Sequence, residues 1–150
     1  MEESFFLTNT TRGKLPNLPF KVIKKDILGE KYYLSIAYVN EKTSQKINKL
    51  YRNINKPTNI LSFLLRKDQG EIILCPRVIK KEAKNFGKTP RLFLGFLVIH
   101  GMLHLKGFEH SSRMETAEKK YYEKYFCRDR CRIIHHPGGG RRIFKRRKKS

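Results

Sequence analysis

Apolar positions recur with two different periods along this chain, and the switches between them mark its elements. Residues 4 to 8 form a short run suited to a strand. Leu18, Val22, Ile23, Ile27 and Leu28 keep the spacing of one helix face over residues 18 to 28. Residues 32 to 39 are aromatic and β-branched, which favours a strand. Asn40 or Thr43 is placed to cap a helix running to about Arg52, with Ile47, Leu50 and Tyr51 expected on its inner face. Lys56-Pro57-Thr58-Asn59 reads as a turn. Residues 60 to 65 and 71 to 75 read as strands joined through Asp68-Gln69-Gly70. Pro76 suits the first turn of a helix that ends near Gly87. Residues 90 to 106 read as a further helix. Ser111 or Ser112 caps a last one, with Glu115 in its first turn and its end near Phe126.

These elements are not a strict βαβ alternation. They predict an α+β domain in which about five helices pack on a small sheet of about four strands. The 150 residues suffice for one domain with a real core. That domain is expected over residues 1 to 126. Residues 127 to 150 differ: ten Lys or Arg against one Asp leave them at +9, around a run of three glycines. Such like-charge density predicts a disordered basic tail.

Charge narrows the partners. The whole chain carries +21, which points to a polyanion such as nucleic acid or an anionic membrane surface. The first residues lack a basic segment followed by an apolar run, and the longest apolar stretch, residues 92 to 99, is far short of a spanning helix of about 20 residues. No membrane partner is expected. Three irregularly spaced cysteines, Cys75, Cys127 and Cys131, argue against a disulfide framework and for a reducing cytoplasm. Cys127, Cys131 and His135 recur at helical spacing, but without a paired CxxC knuckle they read as a fraying helix rather than a second metal site.

The candidate chemistry lies in one short stretch, VIHGMLHLKGFEH. His100 and His104 are four apart, so a helix puts them on one face. Gly107 lets the chain turn off the helix end, and His110 can swing back toward the same point. Three imidazoles suit a divalent metal, zinc best, with a fourth position open for water. The spacing matches the long zincin motif in all three ligands and the turning glycine, but Gly101 stands where a protease carries its glutamate base. The ligands of a hydrolase are therefore present without the base that peptide hydrolysis needs.

PTNILSF at residues 57 to 63 and HGMLHLKGFEH at residues 100 to 110 resemble the signatures of the YbeY family, bacterial metal-dependent endoribonucleases of ribosomal-RNA maturation. GEIILCPRVIKKEAKNFGK between them is similar to that family too, so the resemblance covers roughly residues 30 to 126. It implies an α+β fold, one zinc ion on His100, His104 and His110, and a cleft beside it where single-stranded RNA is cut. It also implies work on 16S ribosomal RNA and small-subunit quality control, with that subunit and its assembly factors as partners. It marks Arg52, in the Tyr-Arg pair ahead of the PTN turn, as a functional position. A guanidinium there can grip a phosphate through two parallel hydrogen bonds. Asn59 and Ser62 are candidates for the same cleft, although local backbone bonding explains such residues as well. Tyr121, Tyr122 and Tyr125 could stack bases, but their spacing fits core packing better. Departures from the family pattern are Glu109 where Asp is usual, Leu64 where Pro often stands, and Asn59 where many members have Asp. Two other readings share the ligand set: a zinc-dependent peptide or amide hydrolase, and a non-catalytic ribosome-assembly factor with a structural zinc.

Overall fold

A computed structural model describes residues 3 to 127. The basic tail, Cys131 and His135 therefore lie outside the described residues. Four strands form a mixed sheet in the order β1-β2-β4-β3, with β1 Phe5–Asn9, β2 Tyr33–Tyr38, β3 Ile60–Arg66 and β4 Gln69–Leu74. The first three in spatial order are parallel, and β3 pairs antiparallel with β4 across a tight turn. The helices are α1 Phe20–Ile27, α2 Glu41–Arg52, α3 Pro76–Ala83, α4 Pro90–Leu105 and α5 Ser112–Phe126, with one 3-10 turn at Lys84–Phe86. This is the expected α+β class, with four strands and five α-helices among the described residues.

Alternation along the strands decides which side faces the core. Leu34, Ile36 and Tyr38 of β2 stand beside Ile72 and Leu74 of β4, all buried, and α1 and α4 cover them. On the other face, among the described residues, Ile47 of α2 meets Val39, Leu61 and Ile73. Helix α4 is the central element. Nearly every residue from Phe93 to Leu105 is buried, because β3, β4, α1, α3 and α5 all contact it. Thr89 caps it by accepting from the Leu92 N–H at 3.2 Å, and Pro90 sits at its first position, where no N–H partner is needed. At Gly95, an added Cβ would run into the Phe126 ring, so the missing side chain sets how closely α5 approaches. Asp26 of α1 ties down the same C-terminal end of α5, accepting from Lys124 Nζ and from Tyr125 Oη, each at 2.6 Å. These two bonds hold its carboxyl below the usual carboxylate range.

Helix α2 departs from the expected packing. Of the two expected N-caps Asn40 is the one used, accepting from Thr43 N–H, and Asn53, in the left-handed region at φ 57°, ends the helix after Arg52. Its inward face, however, is polar. Ser44 and Asn48 are buried, while Leu50 and Tyr51 are 75% and 65% exposed. The cause is a set of bonds to the following turn. Ser44 Oγ donates to Thr58 O and accepts from Thr58 N–H, and Asn48 Nδ2 donates to Lys56 O at 2.8 Å. These bonds fix the helix roll, so Ile47 packs into the apolar cluster on the sheet while Tyr51 lies against Phe63 of β3 and stays mostly exposed. Val22 of α1, also expected inside, is exposed. Cys75 is a buried free thiol, whereas Cys127 is disulfide-bonded.

Candidate metal centre

The three histidines converge. Their ligand atoms all lie within 4.8 Å of one another, with His100 buried, His104 half-buried and His110 exposed. His100 and His104 point from the C-terminal half of α4. The chain then leaves the helix through a tight left-handed turn: Gly107 has φ 108°, its N–H bonds His104 O, and Phe108 N–H reaches back to Leu103 O, both at 3.0 Å. That pair of bonds is the glycine-terminated helix end expected of this spacing. It returns the chain so that His110 stands over the same point, before Ser111 caps α5 by accepting from Met114 N–H.

Hydrogen bonding on the outer side of the His100 and His104 rings decides what their inner sides offer. His104 Nδ1 lies 3.1 Å from Phe108 O, which can only accept, so that nitrogen carries the proton. His100 Nδ1 lies 2.9 Å from Oε2 of the buried Glu118, a carboxylate acceptor. In neutral rings both Nε2 atoms are then bare lone pairs, and they face each other at 3.0 Å. Two lone pairs so close repel unless a cation lies between them. Nitrogens about 2.0–2.1 Å from a tetrahedral zinc would stand roughly 3.3 Å apart, close to this separation. The donor set therefore fits a divalent metal, and the exposed His110 side leaves room for a substrate.

Glu118 is the functional residue that the sequence reading missed. Metal-binding histidines commonly donate their outer N–H to a carboxylate, which fixes tautomer and ring orientation. A signal was present in the spacing: Glu118 lies between Met114 and Tyr122 on the buried stripe of α5, where an acid has no place without a partner.

Gly101 lies where α4 meets the sheet. A Cβ built there would be 2.9 Å from Ile60 Cδ1 and Ser62 Oγ, and 3.1 Å from Ile72 Cδ1. A protease glutamate at this position would have to displace the side-chain ends of Ile60 and Ser62. Ser62 is thus placed beside the residue that follows His100. Asn59 instead bonds to distant parts of the chain, its Nδ2 donating to the Glu82 carboxylate of α3 at 2.8 Å and its carbonyl accepting from Cys75 N–H, so local backbone bonding does not account for its side chain. Arg52 is exposed on the last turn of α2, ahead of the locked turn that feeds β3, the strand on which α4 rests. Tyr122 is buried, and burial pushes its hydroxyl up to about 12, as expected of a packing residue. Burial likewise raises the Cys75 thiol, which makes it a poor nucleophile. No helix among the described residues is long and apolar enough to cross a membrane.

Comparison with known proteins agrees with this geometry. The family model described as Endoribonuclease YbeY matches residues 10–127. The Endoribonuclease YbeY of Staphylococcus carnosus is 33% identical over 117 residues, which are 70% of this chain and 76% of that protein. That of Thermotoga petrophila is 33% identical over 130 residues, 81% of this chain and 85% of the relative. The solution structure of TM1509 from Thermotoga maritima superposes with a TM-score of 0.60 at 27% identity, covering 80% of this chain and 87% of that one.

Proposed function

Because this chain belongs to the endoribonuclease YbeY family, we propose that its three-histidine centre cuts single-stranded RNA during ribosomal-RNA maturation. The protein is an endoribonuclease, a hydrolase of RNA phosphodiester bonds. The observation that carries the site assignment is the convergence of the His100 and His104 Nε2 atoms at 3.0 Å, with His110 completing the triangle. Zinc, one ion per chain, is the metal that this all-imidazole set favours.

A divalent ion held by these histidines supplies Lewis-acid stabilisation and water activation near neutral pH. Three neutral ligands leave its charge undiminished for an anionic phosphate. The chain's own residues do the rest. Glu118 and Phe108 O keep His100 and His104 in the ligating tautomer. Arg52 is assigned to the phosphate, where its guanidinium can form two parallel hydrogen bonds and offset developing charge. Ser62 and the Gly101 contact form the floor on the sheet side. The small ribosomal subunit and its assembly factors are the proposed partners, 16S ribosomal RNA the proposed substrate and the cytoplasm the proposed location. The basic segment over residues 127 to 150 is assigned to RNA affinity.

The competing readings are weaker on physical grounds. A peptide hydrolase needs a base where Gly101 meets Ile60 and Ser62. A structural zinc is closed by four protein ligands, and three gather here among the described residues. Incubating the protein with a single-stranded oligoribonucleotide and with an unstructured peptide separates all three. RNA cleavage that a chelator abolishes and added zinc restores supports the proposal. Peptide cleavage, or tight RNA binding without turnover, overturns it.

A further inference from the structure

Tyr51 is a large aromatic side chain that the fold leaves in solvent. It is 65% exposed, its neighbour Leu50 is 75% exposed, and the Ser44 and Asn48 bonds prevent α2 from rolling to bury either. The ring is nevertheless held in place. It packs on Phe63 of β3 with ring centroids 4.9 Å apart and an interplanar angle of 58°. One face of the pair is thus backed by protein and the rest is open. The surroundings are basic: Lys49 and Arg52 flank Tyr51 on α2, and Arg66 and Lys67 lead into the turn after β3, against Asp68 and Glu71. A surface of this kind, an exposed ring among cations on a chain of net charge +21, is complementary to a polyanion that carries flat apolar groups.

We propose that Tyr51, supported by Phe63, is a base-stacking subsite that holds one nucleobase of single-stranded RNA on the α2 side of the sheet, across the β3 edge from the histidine centre. The inference rests on the RNA-cleaving reading above and adds the source of its strand selectivity. A base paired inside a duplex is already stacked and cannot lie flat on Tyr51 without being pulled out. A single strand offers its bases at no such cost. Stacking is indifferent to base identity, so this subsite reads strandedness and not sequence.

The test uses the full-length, metal-loaded protein and a labelled single-stranded oligoribonucleotide with phosphorothioate linkages to slow cleavage. Affinity is read by fluorescence anisotropy. Tyr51→Ala should weaken binding by about 5- to 100-fold, the usual range for losing one stacked base, while Tyr51→Phe stays within about twofold of wild type. On a strand of equal charge lacking bases, all three proteins should bind alike. Metal content should be unchanged throughout, since Tyr51 is on the surface. If wild type binds and cuts RNA but Tyr51→Ala binds the base-bearing strand equally well, the stacking role is overturned and the patch belongs to a protein contact. Equal weakening on both strands also overturns it. If wild type itself neither binds nor cuts the strand, the RNA reading has failed and this inference with it.

Discussion

Glu118 is the side chain whose removal separates metal geometry from metal ligation. It touches no metal position, yet its carboxylate accepts the outer proton of His100 at 2.9 Å. Glu118→Gln keeps the size but can present an amide N–H where an acceptor is needed. Metal affinity should fall by about 10- to 100-fold, measured by competition with a chromophoric chelator. Equal affinity in both proteins would mean that Glu118 is only a core residue. Arg52 behaves differently in the account. Arg52→Ala should retain fold and metal but lose cleavage by about 100- to 1000-fold, the scale of a removed charge-stabilising donor. Lys at 52 should recover only part, because it lacks the guanidinium fork. Unchanged turnover in Arg52→Ala would remove it from the mechanism. The convergence of the histidines was legible in the sequence because their spacing is dictated by helix geometry, whereas Arg52 rests on the family resemblance alone. Glu118 was not legible, because its partner His100 is 18 positions away and only the packing of α5 on α4 brings them together.

At the level of elements, the contact between α4 and β3 decides what chemistry the centre can host. Gly101→Glu would recreate the protease motif in sequence. In the fold it forces a carboxylate into Ile60, Ser62 and Ile72, and overpacking alone should cost about 1–3 kcal/mol. A lowered midpoint of thermal unfolding with no peptidase activity is expected, and a stable, peptide-cleaving variant would refute this view of the site. The starts of α2, α4 and α5 were readable because their caps are local: Asn40, Thr89 with Pro90, and Ser111 bond within their own first turns. The inward face of α2 was not. Ile47, Leu50 and Tyr51 have the spacing of a buried stripe, but Ser44 and Asn48 find backbone partners in the 56 to 58 turn and win the interior. Strand order was equally hidden, since placing β4 between β2 and β3 depends on long-range pairing that no local pattern encodes.

Across the whole molecule, affinity and chemistry are divided between charge and the centre. Seven Lys or Arg lie among residues 137 to 150, and deleting that segment should leave metal content and single-turnover cleavage at saturating protein unchanged. RNA binding should weaken, and the log–log salt slope should fall by about 2–3 units if half or more of those charges meet phosphates. A slope that does not move would reduce the segment to a solubilising role. The central claim is that the three-histidine centre holds the metal that cuts RNA. It is tested most directly by measuring metal content and cleavage of a single-stranded oligoribonucleotide on the same samples of wild type and His104→Ala. The account predicts about one metal ion per chain and chelator-sensitive cleavage in wild type, and neither in His104→Ala. A folded His104→Ala protein that still cuts RNA at the wild-type rate, or a metal-loaded wild type that leaves RNA intact, would contradict it.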